Sequence, residues 1–263
     1  MADDVVLIEE EQKRLIKSKK RVQKHGEVFT PQRTVKDMLD LPGIKEACEE
    51  LQTTFLEPSA GEGAFLVEVL TRKMAMVARE YNESLEQYEN YSLLALSTLY
   101  GVELLEDNAQ TCVMNMFQVF NDLYREQSKK HGTAMKRKVQ DSAKTLISRN
   151  IKQGDFLTKR TPDDNPIIFS EWTPKSLRKG QKKITVNRTE YSLEDIYSGL
   201  TREFGEAYST RPVIEQLDLF SFDDEVDEEG SNDPVLRYVA VPITDVYKEE
   251  MEEFDDNSNE IQS

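Results

Sequence analysis

The chain is poor in the residues that build metal centres and covalent cross-links. Its two cysteines, Cys48 and Cys112, are too few and too far apart for a disulfide framework or a zinc site. Two histidines, His25 and His131, give no basis for a His-based centre, so no metal is expected. No apolar run approaches the roughly 18 residues of a membrane span, and no membrane partner is expected. Met1-Ala2-Asp3-Asp4 lacks the basic start of a secretory signal. A reducing cytoplasm is the compartment that these absences suggest. Basic excess is missing too: 34 Lys and Arg face 50 Asp and Glu, a formal net charge of −16. A free-standing nucleic-acid binder normally carries the opposite sign, because it must neutralise phosphates.

The acid is unevenly placed. Phe222–Glu229 and Glu249–Asp256 hold much of it, while Lys13–Lys24 and Lys129–Lys138 are basic. A DNA-facing surface is therefore compatible with the global sign, and the acidic segments offer a surface for a protein partner. A length of 263 residues with 38% hydrophobic residues suits one α/β domain with extensions.

Periodicity orders the chain as follows. Residues 1–24 read as a charged helix with a thin apolar stripe. Short helices are expected over Thr34–Leu41 and Ile44–Leu51, separated by Pro42-Gly43. Thr53–Leu56 is β-branched and apolar, breaks into Pro58-Ser59-Ala60-Gly61-Glu62-Gly63, and is followed by helical spacing over Ala64–Tyr81. Strand, glycine turn and helix form the first half of a mononucleotide-binding unit. A second strand ends at Gly101–Leu104, and a helix over Glu106–Arg125 follows it. The basic stretch 126–149 reads as a helix end or a loop insertion. Asn150–Leu157 offers a third strand and Pro166–Phe169 a fourth. Beyond these, Lys183–Val186 and 235–241 read as strands, Ser192–Phe204 as a helix, and 222–234 and 249–263 as disordered acidic segments.

Three strand ends carry the chemistry. Gly61 and Gly63 let backbone pass close to a nucleoside without Cβ interference, and the following helix points N–H groups at the ligand. Glu103 ends the next strand, where a carboxylate accepts hydrogen bonds from ribose hydroxyls. Asp155 ends the third strand, within reach of an adenine amino group.

These residues resemble the N6-adenine DNA methyltransferase family, in particular the modification subunit of type I restriction–modification enzymes. His25–Pro31 is similar to its "G-x-[FY]-[FY]-T-P" segment and Phe55–Leu66 to its "D/E-P-[AS]-x-G-x-G-x-[FL]-L" loop. Gly101–Leu104 resembles "G-[VI]-[DE]-[LI]" and Gln153–Leu157 resembles "x-G-D-x-L". The likeness covers about residues 20–170. It implies a Rossmann-like S-adenosylmethionine (SAM)-dependent methyltransferase fold, α/β with a seven-stranded, mostly parallel sheet. It also implies that SAM is held by Thr30, Pro31, Glu57, Pro58, Gly61, Gly63, Glu103, Asp155 and Phe156. The domain division that follows is 1–50 as an N-terminal helical segment with the Thr-Pro motif, 51–221 as the methyltransferase-like domain, and 222–263 as an acidic extension with one strand.

The family's catalytic "[DNS]-P-P-[YFW]" loop has no counterpart here. The nearest residues are Asn165 and Pro166; if Ile167–Phe169 is the fourth strand, the loop position falls instead on Ser170, Glu171 and Trp172. About 90 residues follow Trp172, too few for a target-recognition domain of the family's kind. The expectation is a SAM-binding, adenine-N6 DNA-methyltransferase-like protein that takes its sequence recognition from a separate specificity subunit. The alternatives are a catalytically inactive interaction protein of the same fold, mimicking a modification subunit or DNA, and an enzyme that modifies a protein or small molecule.

Overall fold

The computed structural model describes residues 17–178, 180–208 and 235–254. Residues 1–16 of the expected charged helix, and the acidic segments 222–234 and 255–263, lie outside the described residues. So do residues 209–221, the end of the expected methyltransferase-like domain.

Helix α1 (Lys19–His25) is opened by Ser18, whose side chain accepts from the Arg21 N–H, and closed by Gly26 in the left-handed region at φ 66°. Pro31 precedes α2 (Gln32–Leu39), which buries Val35 and Leu39, and α3 (Ile44–Cys48) follows. Strand β1 (Phe55–Glu57) then runs into the glycine turn and α4 (Ala64–Glu80), whose buried Leu66, Val69, Leu70, Met74 and Val77 keep the three–four spacing of an amphipathic helix.

Helix α5 (Leu85–Leu96) has no counterpart in the sequence reading. It is buried nearly all round, and its buried Gln87, Glu89, Asn90 and Ser92 erase the apolar stripe by which a surface helix is recognised. Gln87, Glu89 and Asn90 are matched inside the protein. Glu89 accepts from the Tyr124 hydroxyl and from Lys136 Nζ at 2.6 Å, and Asn90 Oδ1 accepts from the Ile184 N–H at 2.9 Å.

Strand β2 (Leu99–Glu103) leads into α6 (Glu106–Lys130), then α7 (Arg137–Asn150) and β3 (Ile151–Gln153). The basic stretch expected as a helix end or loop is thus mostly a separate helix, with Val139, Ala143, Leu146 and Ile147 buried. The three strands form a parallel sheet in the order β1-β2-β3, with Glu57 beside Gly101 and Glu103 beside Gln153.

The fold is mixed α/β with a small parallel sheet flanked by helices. Among the described residues the parallel sheet is three strands wide. The expected fourth strand, Pro166–Phe169, contributes instead to β4 (Ile168–Pro174). This strand pairs antiparallel with β5 (Thr185–Ser192) in a separate sheet. Helix α8 (Leu193–Ser198) ends at Gly199 with φ 72°, well short of the expected Phe204. Strands β6 (Val235–Tyr238) and β8 (Met251–Phe254) pair with each other, while β7 (Val241–Pro242) joins β5 and leads to a 3-10 helix (Ile243–Lys248). Part of the segment expected to be disordered after residue 249 is therefore a paired strand.

The main core lies among α4, α5, α6 and α7, and also takes in Trp172, Val186 and Ile243. A smaller cluster of Val102, Ile167, Phe169 and Leu193 packs the antiparallel hairpin against the parallel sheet. This apolar packing leaves the carboxyl ends of β1, β2 and β3 free to line concavities.

Candidate functional site

Three concavities adjoin one another at those strand ends. The first, about 370 Å³, is walled by Phe29, Thr30, Pro31, Val35, Met38 and Phe65 beside Glu57 and Gly61. The second, about 150 Å³, shares Phe29, Ser59 and Gly61 with the first and adds Glu27, Glu103 and Asn108. The third, about 490 Å³ and more open, shares Leu104 and Leu105 with the second and reaches Gln153, Asp155 and Arg160. Glu57, Glu103 and Asp155 therefore each line one of three neighbouring hollows. Ligands of open α/β sheets bind at this end of the strands.

The glycine turn is shaped by close packing. Gly63 adopts φ 87°, and a Cβ there would lie 2.7 Å from Cys112 Sγ on α6. Only glycine satisfies both the left-handed backbone and that approach. The same burial raises the Cys112 thiol to about 12 through desolvation, with Glu103 and Glu57 adding to the effect. Cys112 is thus an inert packing group.

Glu103 fastens the turn to the sheet. Its carboxylate accepts from the Gly61 N–H at 2.8 Å, from the Leu105 N–H at 3.0 Å and from Asn108 Nδ2 at 3.3 Å. Glu57 is held more loosely: it accepts from the Ser59 N–H at 3.2 Å, and desolvation raises its carboxyl above the usual carboxylate range. Among the described residues, the first concavity is lined by two carboxylates, Glu57 and Glu62, and by no cationic side chain; Lys17 Nζ pairs with Glu62 at 2.9 Å beside it. Such a hollow suits the positively charged end of a ligand, with the Phe29 and Phe65 rings as apolar walls.

The remaining expected site residues fall differently. Asp155 uses one carboxylate oxygen to accept from the Leu157 N–H at 2.8 Å, stabilising its own turn at the edge of the third concavity. Pro58 is exposed and Phe156 is packed against the smaller core cluster, edge-on to Tyr197 with ring centroids 6.0 Å apart. Neither of these expected cofactor contacts is among the residues that line the three hollows.

Asn165 and Pro166 lie in the loop that closes on Thr161, whose N–H donates to the Asn165 carbonyl at 2.8 Å; Asn165 is exposed beside the third concavity. Ser170 and Trp172 are internal. The Ser170 hydroxyl accepts from Arg188 Nε at 3.0 Å, and Trp172, 6% exposed, lies under the Arg188 guanidinium at 5.1 Å. Both side chains, expected as alternative catalytic groups, are thus buried against Arg188. Sequence reasoning missed Asn108 and Glu27, because a buried amide at a helix start and an acid in a loop carry no distinguishing pattern.

Among the described residues, no helix is long and apolar enough to cross a membrane, and no His, Cys, Asp and Glu cluster could hold a metal ion. No protein-family model, curated protein or solved structure matches the chain.

Proposed function

We propose that the protein binds SAM in the adjoining hollows and is an adenine-N6 DNA-methyltransferase-like protein of the restriction–modification type, with DNA recognition supplied by a separate subunit. The observation that carries this reading is the placement of Glu57, Glu103 and Asp155 in successive concavities at the carboxyl ends of parallel strands, with the glycine turn between the first two. In this reading Glu57 takes the ammonium of the methionine moiety and Glu103 accepts from ribose hydroxyls. Asp155 receives the adenine amine, and Thr30 and Pro31 form the outer wall. SAM supplies an electrophilic methyl group; the protein's part is to orient it and exclude water.

Titration calorimetry with SAM and with S-adenosylhomocysteine, paired with labelled methyl transfer to unmethylated DNA, tests both halves. Heat with SAM and label in adenine support the proposal. Absence of heat in folded protein rejects it.

A second reading draws on the burial of Ser170 and Trp172. With those groups internal, the scaffold serves as a non-catalytic partner that holds SAM or occupies a modification complex without transferring methyl. SAM binding without methylation, alone or with candidate partner subunits, favours it; methylated adenine eliminates it.

A further inference from the structure

The side chain of Asn108 lies between two carboxylates and two cations, and each of its atoms faces a group it suits. Asn108 is 1% exposed, in the first turn of α6. Its Nδ2 donates to Glu27 Oε1 at 2.7 Å and to Glu103 Oε1 at 3.3 Å. Its Oδ1 accepts from Lys17 Nζ at 2.6 Å and from Arg21 Nη2 at 3.4 Å. Lys17, Arg21 and Glu27 belong to the N-terminal arm, residues 17–31, whereas Glu103 is the carboxylate that fastens the glycine turn. One buried amide thus connects the arm to the floor of the second concavity.

The arm forms an outer wall of the first two hollows. Gly26, Glu27, Val28 and Phe29 line the second, and Thr30 and Pro31 continue the wall of the first. Polar contacts fix it. Lys17 Nζ reaches Glu62 on the glycine turn at 2.9 Å and Asp107 on α6 at 3.0 Å, and it lies 5.7 Å over the Phe29 ring. Arg21 pairs with Glu27 and, at 3.0 Å, with Asp107. The outer ion pairs sit in solvent, where each is weak and screened by salt. The Asn108–Glu27 contact is sheltered, so its hydrogen bonds count for more.

We propose that Asn108 is a positioning residue that couples closure of the N-terminal arm to the orientation of the Glu103 carboxylate, with Lys17 and Arg21 clasping the arm shut. The proposal rests on the reading of these hollows as a nucleoside site. A ligand held by Glu103 then favours the closed arm, and the closed arm favours the ligand by the same factor.

Hydrogen exchange over residues 17–31, with and without SAM, and SAM affinity at low and high salt are measured on the full chain. The variants are Asn108→Ala, Asn108→Asp and the surface pair Lys17→Ala/Arg21→Ala. Asn108→Ala is expected to speed arm exchange and lower SAM affinity about tenfold. Asn108→Asp sets a third carboxylate beside Glu27 and Glu103 and is expected to free the arm further. The surface pair, which leaves the core intact, is expected to weaken SAM binding and flatten its salt dependence. If the wild type binds SAM and the surface pair leaves arm exchange and affinity unchanged, the clasp is overturned. If the wild type gives no heat with SAM, the nucleoside reading falls and the ligand coupling with it, whatever the arm does.

Discussion

The Glu103 carboxylate holds the Gly61 N–H at 2.8 Å, so the glycine turn after β1 is fastened to the end of β2 before any ligand arrives. Three N–H donors converge on this one carboxylate. A glutamine cannot replace it: its amide nitrogen must face one of those donors and leave it unsatisfied. Glu103→Gln is expected to cost about 1–3 kcal/mol, the penalty of one buried unpaired donor. It is also expected to lower SAM affinity at least about tenfold, since each 1.4 kcal/mol is a factor of ten. Denaturant unfolding and calorimetry on the same sample measure both. Unchanged affinity in a folded variant excludes Glu103 from the ligand.

Gly63 and Cys112 are packed so closely that their substitutions must be coupled. Gly63→Ala sets a Cβ 2.7 Å from Cys112 Sγ and forces alanine to φ 87°. Left-handed strain of about 1–2 kcal/mol and overpacking of about 1–3 kcal/mol add. Cys112→Ala removes the contact with Sγ but leaves the strain and the 3.3 Å approach to the backbone Cα of residue 112. The double variant should therefore recover about 1–3 kcal/mol relative to the additive sum. Strict additivity in a double-mutant cycle would show that the contact carries no energy.

Lys73 is fully buried on α4, where its ammonium donates to the carbonyls of Glu50, Leu51 and Thr53 at 2.7, 3.3 and 2.8 Å. Desolvation lowers its pKa from 10.5 to about 8. Between those values the unfolded chain binds more protons than the folded one, so this group makes stability rise with pH. Below about 8 both states carry the proton and the cost of burying the charge is fully felt; above 10.5 it is relieved. Relative to Lys73→Met, the wild type should gain up to about 3 kcal/mol across that window. Unfolding free energies of both proteins at neutral and alkaline pH give the difference, and a flat difference refutes the assignment.

The first half of the fold is legible in the sequence because its signals are local. The run into Pro58, the paired glycines and the Leu66–Val77 stripe need no tertiary information, and β1, the turn and α4 stand within a residue or two of their expected places. Helix α5 is not legible, because its polar residues find partners such as Tyr124 and Ile184, 35 and 94 residues away in sequence. The fate of Pro166–Phe169 is decided in the same non-local way. An apolar run looks alike in a parallel sheet and in a hairpin, and the pairing of Ile168 with Ser192 places it in the hairpin. At the site, the three acidic strand ends are legible, but the wall that the arm builds around them depends on contacts between residues 81–91 positions apart.

Arg188, 3% exposed, ties the hairpin to the last described segment. Its guanidinium lies 5.1 Å from the Trp172 ring and 4.0 Å from the Tyr238 ring, and it pairs with Glu190 at 2.7 Å and with Glu249. Arg188→Ala removes the cation beside Glu190, whereas Glu249 keeps Arg149 at 2.7 Å, and should cost about 1–3 kcal/mol. Hydrogen exchange should rise most over residues 235–254. Trp172→Phe keeps an aromatic face under Arg188 and should leave SAM affinity unchanged. A loss of SAM binding in a stably folded Trp172→Phe protein would return this residue to the site.

In the proposed reading Glu57 gives the first concavity a preference for cations. Among the described residues its lining holds Glu57 and Glu62 but no cationic side chain, Lys17 pairing with Glu62 from beside it, and desolvation already raises Glu57 above the ordinary carboxylate range. SAM carries a sulfonium and an ammonium; S-adenosylhomocysteine keeps the ammonium and loses the sulfonium charge. The wild type is therefore expected to favour SAM, and Glu57→Gln to bind both more weakly with a smaller difference between them. Because a cation favours the ionised carboxylate, SAM binding should weaken on acidification, as the raised Glu57 takes up its proton at a higher pH than an ordinary carboxylate. Glu57→Gln should lack that component. Competition calorimetry with both nucleosides from pH 5 to 8 resolves the two, and an equal acid dependence in wild type and variant would remove Glu57 from the role given to it.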